Sequence, residues 1–398
     1  MCGLAGYSLI SKCFVLDDWS TAACQALSHR GPDDSGAFED PEHGICLIHT
    51  RLSIQDPSSL GHQPMRSPDN RVVLTFNGEL YNFRELRSEL EAEGCTFFSE
   101  SDTEVLLALY LNLRQKSPFR LTSDVISAML QRLNGIFAFA LWDRDCQSML
   151  LARDAFGVKP LYLHRSGVGL YFASESKALR SANPSLDPLS LDRYLTFLWS
   201  PGKGTPDYGV RKLGPGEAIW VSQGEIQEQF VWYRIPSFRL LASTRSVIPQ
   251  ALAIRSTEKH LRQAVYRQLV ADVPVGAFLS GGLDSSSVVA FAREQNPDIR
   301  CFTIECTGSS KEGNVVDLPY ARRVAAHLNV PLEIVRIDAA RMAEDLPAMV
   351  VQLDEPLADP APLNVLYISR LAREQGIKVL LSGAGGTTFS LAIAVIGH

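Results

Sequence analysis

No run of lysine and arginine interrupts this 398-residue chain, and its formal net charge of −6 leaves it without the basic footprint that nucleic acids require. Cysteines are scattered: Cys2, Cys13, Cys24, Cys46, Cys95, Cys146, Cys301 and Cys306 lack the close pairs of a zinc knuckle or a small disulfide framework, so a reducing compartment is expected. The N-terminus has no basic segment followed by an apolar stretch and a small-residue cleavage site. The most apolar tail, 389–397, is too short to cross a bilayer. Internal repeats and low-complexity tracts are also missing. The expectation is a cytoplasmic protein with small-molecule partners, no nucleic acid and no membrane. What is present, 46% apolar and 21% charged residues, is ordinary globular composition. The length exceeds what one hydrophobic core usually supports, so two domains are expected.

As far as about Val231, short apolar segments between Gly-rich turns predict strands at 44–49, 72–76, 136–142, 148–154, 170–174 and 218–222. Helices are fewer here, and the clearest is 103–113, an apolar-rich run suited to covering a sheet. From Ser256 the character changes. Strands predicted at 277–280, 301–305, 332–337 and 378–381 are separated by helices at 284–294, 318–328, 339–353 and 362–375. Such alternation implies a parallel sheet with helices on its faces. A weakly periodic stretch between the two patterns gives domains at 1–235 and 256–398, joined by a linker at 236–255.

Met1-Cys2-Gly3 puts a small residue after the initiator, so trimming of Met1 would leave a thiol and a free amine on one residue. An α-amino group has an intrinsic pKa of about 8 and can take the thiol's proton directly or through water. The plain alternative for Cys2 is a small buried hydrophobe. The segments that follow argue otherwise: His29-Arg30-Gly31-Pro32-Asp33-Asp34-Ser35-Gly36, His49-Thr50-Arg51-Leu52-Ser53-Ile54, Phe76-Asn77-Gly78-Glu79-Leu80-Tyr81-Asn82 and Ser101-Asp102-Thr103-Glu104. In type, order and spacing they resemble the class II glutamine amidotransferases. The resemblance spans residues 2 to about 230, including Leu133-Asn134-Gly135-Ile136-Phe137-Ala138 and the run from Arg153 to Tyr162.

That resemblance implies an α+β N-terminal-nucleophile sandwich, two antiparallel sheets flanked by helices. It implies Cys2 as nucleophile, with the Asn77 side chain and the Gly78 amide stabilising the oxyanion. Arg51 would take the carboxylate of glutamine and Asp102 its ammonium, with Asn77, Gly78 and Glu79 lining the pocket. A guanidinium and a carboxylate on opposite sides are what distinguish glutamine from other amides. Each residue also has a plainer role: Asn77-Gly78 as a hairpin turn, Arg51 in a surface ion pair, Asp102 as a helix cap.

Leu279-Ser280-Gly281-Gly282-Leu283-Asp284-Ser285-Ser286 lies between a predicted strand and a predicted helix. Backbone amides and hydroxyls of such a turn can close on phosphate oxygens at a helix N-terminus. No Gly-Lys-Ser/Thr follows, so this is not a Walker A loop. The segment resembles the ATP pyrophosphatase loop. Phe302-Thr303-Ile304, Asp317 to Ala321, Leu353-Asp354-Glu355-Pro356-Leu357-Ala358-Asp359-Pro360 and Leu380-Leu381-Ser382-Gly383 continue the asparagine synthetase pattern. This second resemblance implies an α/β parallel-sheet domain of the adenine nucleotide α-hydrolase type. It implies ATP contacts at Leu279, Ser280, Gly281, Gly282, Asp284, Ser285, Ser286, Ile304, Ser382 and Gly383, and Mg²⁺ at Asp284, which could instead cap the helix.

Together the halves resemble the glutamine-hydrolysing asparagine synthetases, which implies glutamine, aspartate and ATP as small-molecule partners and, by family habit, a homodimer. After Gly383 the pattern departs. Ala384, Thr387 and Thr388 occupy acidic positions of the family, and a helical portion with a catalytic lysine is absent. The expectation is an incomplete, C-terminally truncated synthetase half, which puts ligation by this chain in question. Two other readings stand beside this one: a relative that acts on another carboxylate, and a non-catalytic regulatory partner that binds glutamine or nucleotide.

Overall fold

The computed structural model describes residues 1–10, 17–117, 119–180, 185–235, 249–307, 317–359, 361–384 and 394–396. Cys13, most of the expected linker (236–248), Thr387 and Thr388 lie outside the described residues. The chain divides into two units: one formed by Met1–Ile235 with Asp354–Ala358, the other by Pro236–Leu353 with Asp359–His398.

The first unit contains strands β1 (Gly3–Leu9), β2 (Asp34–Asp40), β3 (Ile45–Arg51), β4 (Met65–Arg66), β5 (Val72–Leu80), β6 (Gly135–Asp143), β7 (Ser148–Arg153), β8 (Tyr162–Ser166), β9 (Gly169–Ala173), β10 (Val210–Lys212), β11 (Glu217–Ser222) and β12 (Glu225–Val231). They form two six-stranded sheets, ordered β10-β8-β9-β1-β3-β2 and β12-β11-β7-β6-β5-β4, with antiparallel pairing throughout. The period-2 alternation of a strand explains the layering. Leu4, Ile45 and Leu47 join Val73, Ala140, Trp142, Leu151 and Ile219 in the core between the sheets. Their neighbours Ala5, Tyr7, Cys46 and Ile48 face the other way and pack with Ala23 and Leu27 of helix α1 (Asp17–Leu27). Both faces of the first sheet are therefore covered, which is why β1 and β3 are buried along their whole lengths.

Among the described residues, four more α-helices belong to this unit: α2 (Phe83–Ala92), α3 (Asp102–Gln115), α4 (Ser123–Gln131) and α5 (Pro188–Phe197). Helix α3 contains the predicted 103–113, with Ser101 as its N-cap accepting from the Thr103 amide at 3.2 Å. Asn77-Gly78 is not a hairpin turn. Both residues lie inside β5, paired with Ala138 and Phe137 of β6.

In the second unit, α6 (Gln250–Gln268) begins within the stretch expected as linker. It is followed by β13 (Val275–Phe278), α7 (Leu283–Gln295), β14 (Cys301–Thr307), α8 (Leu318–Leu328), β15 (Leu332–Asp338), α9 (Ala339–Gln352), α10 (Ala361–Glu374), β16 (Val379–Ser382) and β17 (Ala394–Ile396). The sheet order is β15-β14-β13-β16-β17, parallel except for the β16–β17 pair. Phe302, Ile368, Ala372, Ile377 and Leu380 form a core between α10 and the sheet. The strand order reverses beside β13, and ligands of open α/β sheets bind at that switch, at the carboxyl ends of the strands. No described helix is long and apolar enough to cross a membrane.

Candidate active site

Cys2 immediately precedes β1, and its half-buried thiol meets the residue after β3: Sγ lies 3.4 Å from the Leu52 amide that donates to it and 3.7 Å from the Leu52 carbonyl. The Cys2 carbonyl accepts from Arg30 Nε at 2.9 Å. Arg30 is itself buried and donates through Nη1 to Glu175 Oε1 at 2.7 Å, an oxygen that His29 Nε2 also reaches at 3.1 Å. Burial alone would raise the Glu175 ionisation, but these two partners overcome it and pull it down to about 2.

Asn77, Gly78 and Glu79 are consecutive in β5, so the side chains of Asn77 and Glu79 share one face. Asn77 is fully buried. Its Nδ2 reaches Ser174 Oγ at a long 3.4 Å, and its Oδ1 has no hydrogen-bond partner. A side chain held so weakly in a buried place is free to serve another polar group. Position 78 admits only glycine, because a Cβ there would stand 2.3 Å from the Ile136 carbonyl oxygen and 2.7 Å from Phe137 Cα. Glu79 Oε2 accepts from Gln55 Nε2 at 2.7 Å.

Asp102 is the first residue of α3 rather than its cap, and its Oδ2 accepts from the Leu80 amide at the end of β5, at 2.8 Å. Arg51 is not in a surface ion pair: it is buried and donates to backbone carbonyls, Nη1 to Ser58 at 2.9 Å and Nη2 to Gln55 at 3.2 Å and Asp56 at 2.5 Å. The fork thus shapes the loop that supplies Gln55 to Glu79. The same loop is tied to the residues before α3, since Asp56 Oδ2 accepts from the Glu100 amide at 2.9 Å.

The electrostatics follow from burial. Glu79 and Asp102 both ionise well above the ordinary carboxylate range, because each is desolvated and the charge of Asp102 further raises Glu79. A bound cation would relieve both. Burial also raises the Cys2 thiol, against the opposing pull of the N-terminal amine. That amine is the one on Met1, and burial pushes it down to about 4, so it is neutral at pH 7.

Lys159 lies within the family-like run from Arg153 to Tyr162, and the resemblance assigns it no role. It is only 4% exposed, and its ammonium interacts electrostatically with Glu79, Arg30 and Cys2. Burial pulls its ionisation down, and the charge of Glu79 opposes that. A lysine set among Val158, Pro160 and Leu161 was the available signal, since lysine is rarely buried without a partner.

In the second unit, Leu279 is fully buried and its amide donates to the Phe302 carbonyl at 2.8 Å, which fixes where the loop leaves β13. The loop is closed by hydroxyls: Ser280 Oγ lies 3.0 Å from Ser285 Oγ and 3.4 Å from the Gly282 amide. Gly281 has φ +83°, and a Cβ there would stand 2.4 Å from the Ala321 amide nitrogen at the start of α8. Two helix N-termini, of α7 and α8, therefore border one small cradle. Ser286 Oγ, in the first turn of α7, is buried without a partner. A Cβ on Gly383 would stand 2.7 Å from the Ser285 amide, so Ser382-Gly383 at the end of β16 lies against the same turn. Ile304 is on the adjoining strand β14. Asp284 is in the first turn of α7, whose N-cap is Gly282.

The chain matches a family model described as glutamine amidotransferase domain over residues 1–233 and one described as asparagine synthase over residues 256–389. It is 35% identical over 368 residues to asparagine synthetase 1 (glutamine-hydrolysing) of Bacillus subtilis, covering 91% of this chain and 53% of that protein. With the amidase chyE of Penicillium rubens it shares 31% identity over 375 residues, covering 90% of this chain and 52% of that protein. The chain thus spans about half the length of these relatives. Among solved structures, glutamine phosphoribosylpyrophosphate amidotransferase of Bacillus subtilis aligns with 80% of this chain and 70% of its own, at 20% identity and a TM-score of 0.42.

Proposed function

Because the chain belongs to the glutamine amidotransferase domain family, we propose that its first unit hydrolyses glutamine at Cys2 and that the ammonia released is used to amidate aspartate at the expense of ATP. The observation that carries the first half is the Cys2 thiol at the start of β1, electrostatically coupled to Glu79 and Lys159, with Asn77 tied through Ser174 to the strand that follows the thiol; the N-terminal amine is here that of Met1. With Met1 removed, the amine belongs to Cys2 itself. It takes the thiol proton as sulfur attacks the side-chain amide carbon, and the oxyanion rests on Asn77 Nδ2 and the Gly78 amide. The ammonium then gives its proton to the departing ammonia, leaving a thioester that water hydrolyses to glutamate. Asp102, with Glu79 beside it, receives the α-ammonium and so regains the counter-charge that burial denies it. The α-carboxylate falls to Arg51, whose guanidinium has donors beyond those given to the loop.

In the second unit, the match over residues 256–389 supports attack by the aspartate side-chain carboxylate on the α-phosphorus of ATP, which releases pyrophosphate and forms β-aspartyl-AMP. Ammonia displaces AMP to give asparagine. The fit to a triphosphate rests on Gly281, which lets the loop approach the start of α8 more closely than any side chain would allow, and on the unpartnered Ser286 hydroxyl in the first turn of α7. Mg²⁺, which would offset phosphate charge, falls to Asp284. Ala384 is exposed and offers only its amide, donated to Ser382 Oγ at 3.1 Å, where a carboxylate would offer a base.

The test is to incubate the chain with glutamine, aspartate and Mg-ATP and to quantify glutamate, asparagine and pyrophosphate, with Cys2→Ala as control. Glutamate from the wild type and none from the variant is the expected result. Absence of glutamate from both would sink the glutaminase reading. Glutamate without asparagine would restrict the function to the first unit.

A further inference from the structure

Five residues from late in the sequence, Asp354–Ala358, belong to the first unit, and both of their carboxylates are engaged there. Asp354 Oδ2 accepts from the Ser176 amide at 2.5 Å and Oδ1 from the Lys177 amide at 3.0 Å. Glu355 accepts from the Tyr162 hydroxyl through Oε1 and from Lys212 Nζ through Oε2, each at 2.8 Å. The Ala358 amide donates to the Leu198 carbonyl at 3.0 Å.

The segment that Asp354 grips, Ser174–Lys177, is also the one that supports the thiol. Ser174 exchanges bonds with Leu4 in β1: its amide donates to the Leu4 carbonyl at 2.8 Å, and its hydroxyl accepts from the Leu4 amide at 3.0 Å. The same hydroxyl accepts from Asn77 Nδ2. Glu175 holds Arg30, and Arg30 holds the Cys2 carbonyl. One short stretch thus fixes the nucleophile, the strand that follows it and the oxyanion donor, and the backbone amides on its far side are held by the Asp354 carboxylate, while the Ser176 hydroxyl also donates to Asp207 Oδ2 at 2.9 Å.

We propose that Asp354 is a positioning residue of the glutaminase centre, acting through Ser174–Lys177 on Cys2 and Asn77. It touches no substrate. A charge-assisted pair of bonds to adjacent amides is strong, and without it those amides lose their partner and Glu175 loses a fixed base from which to hold Arg30. Misplacement of a nucleophile by a fraction of an ångström lowers turnover more than binding, because the groups assigned to the glutamine carboxylate and ammonium, Arg51 and Asp102, are on other elements.

This inference rests on the reading of Cys2 as nucleophile, so its test carries a readout that does not need turnover. In the full chain, Asp354→Ala lowers kcat for glutamate release about tenfold and changes KM by less than about twofold. Asp354→Asn, which keeps an acceptor oxygen and the fold, gives a smaller loss. Glu355→Gln, in the same segment but bonded elsewhere, leaves both constants within about twofold. Combining Asp354→Ala with Glu175→Gln is no slower than the slower single variant, since both act on one chain of contacts. In parallel, the rate of alkylation of Cys2 by iodoacetamide, followed by peptide mass spectrometry with Cys24 as internal reference, shifts in Asp354→Ala and not in Glu355→Gln. Unchanged kcat and alkylation in Asp354→Ala, an equal change in Glu355→Gln, or additive losses in the double variant would each overturn the proposal. A wild-type chain that releases no glutamate would refute the glutaminase reading, and the alkylation rates would still decide the role of Asp354.

Discussion

The two candidate sites differ in how much of each is built before a substrate arrives. Around Cys2, most assigned side chains beyond the thiol are held by named partners, Glu79 by Gln55, Asp102 by Leu80 and Arg51 by its loop, with Asn77 more loosely tied to Ser174. Around Gly281 the polar groups mostly hold one another, Ser280 with Ser285, and the first helical residue, Leu283, is 80% exposed. The chemistry accounts for the contrast. Hydrolysis of an amide needs buried charges aligned to a fraction of an ångström, and in a low-dielectric site they must be fixed in advance. A phosphate carries its own charge and gathers amides and hydroxyls that need only be near.

Several substitutions would break or sharpen this comparison. Cys2→Ala should lower glutamate release by at least about 10⁴-fold while leaving ATP affinity, measured by calorimetry, unchanged. A comparable loss of ATP affinity would mean that the thiol supports the fold. Asn77→Ala should lower kcat about 10²-fold with little change in KM, read from steady-state glutamate release, because the oxyanion exists only in the transition state. Gly281→Ala forces a side chain into a φ of +83° against the start of α8, a strain of about 1–3 kcal/mol. It should weaken ATP binding about tenfold or more and spare glutamate release.

The pH dependence separates the sites in another way. Burial raises the ionisation of Glu79 and Asp102, so protons compete with the glutamine ammonium closer to neutrality than they would at an exposed carboxylate of pKa about 4. The raised group binds its proton as pH falls through its folded value, and cation binding is lost with it. KM for glutamine should therefore rise on the acid side of neutrality, and Asp102→Asn should flatten that limb. A KM independent of pH between 5 and 7 would remove Asp102 as the ammonium partner. The smallest effect expected is that of Ser286→Ala. Its hydroxyl is buried without a partner, so the thermal midpoint should hold or rise slightly, while ATP affinity falls only a few-fold, by about 1 kcal/mol.

How legible each part was in the sequence follows from how local its cause is. Helix α8 was visible from its amphipathic spacing, and strands β6, β7 and β14 as short apolar segments bounded by turns, because β6 and β7 are buried on both faces and so need no alternation. The Asn77-Gly78 turn alternative failed because tertiary pairing with β6 overrides a local preference. Arg51 could be named, but its bonds to three loop carbonyls could not, since they depend on the path of residues 55–58. Lys159 was missed as a participant because a charged residue signals its surroundings only once the fold buries it. The attachment of Asp354 to Ser176 and Lys177 left no periodic trace: it joins residues 178 and 177 positions apart, chiefly through the two oxygens of one side chain.

The excursion of Asp354–Ala358 into the first unit also bears on how the protein is made. A nascent chain could fold the sandwich as soon as Ile235 clears the ribosome, but the piece that completes it is encoded after the whole of Pro236–Leu353. At roughly 5–20 residues per second that interval is on the order of ten seconds. Through it, the sandwich exists without the Asp354 bonds to Ser176 and Lys177, so a thiol made reactive by its surroundings would be fully supported only when synthesis of the second unit is far advanced.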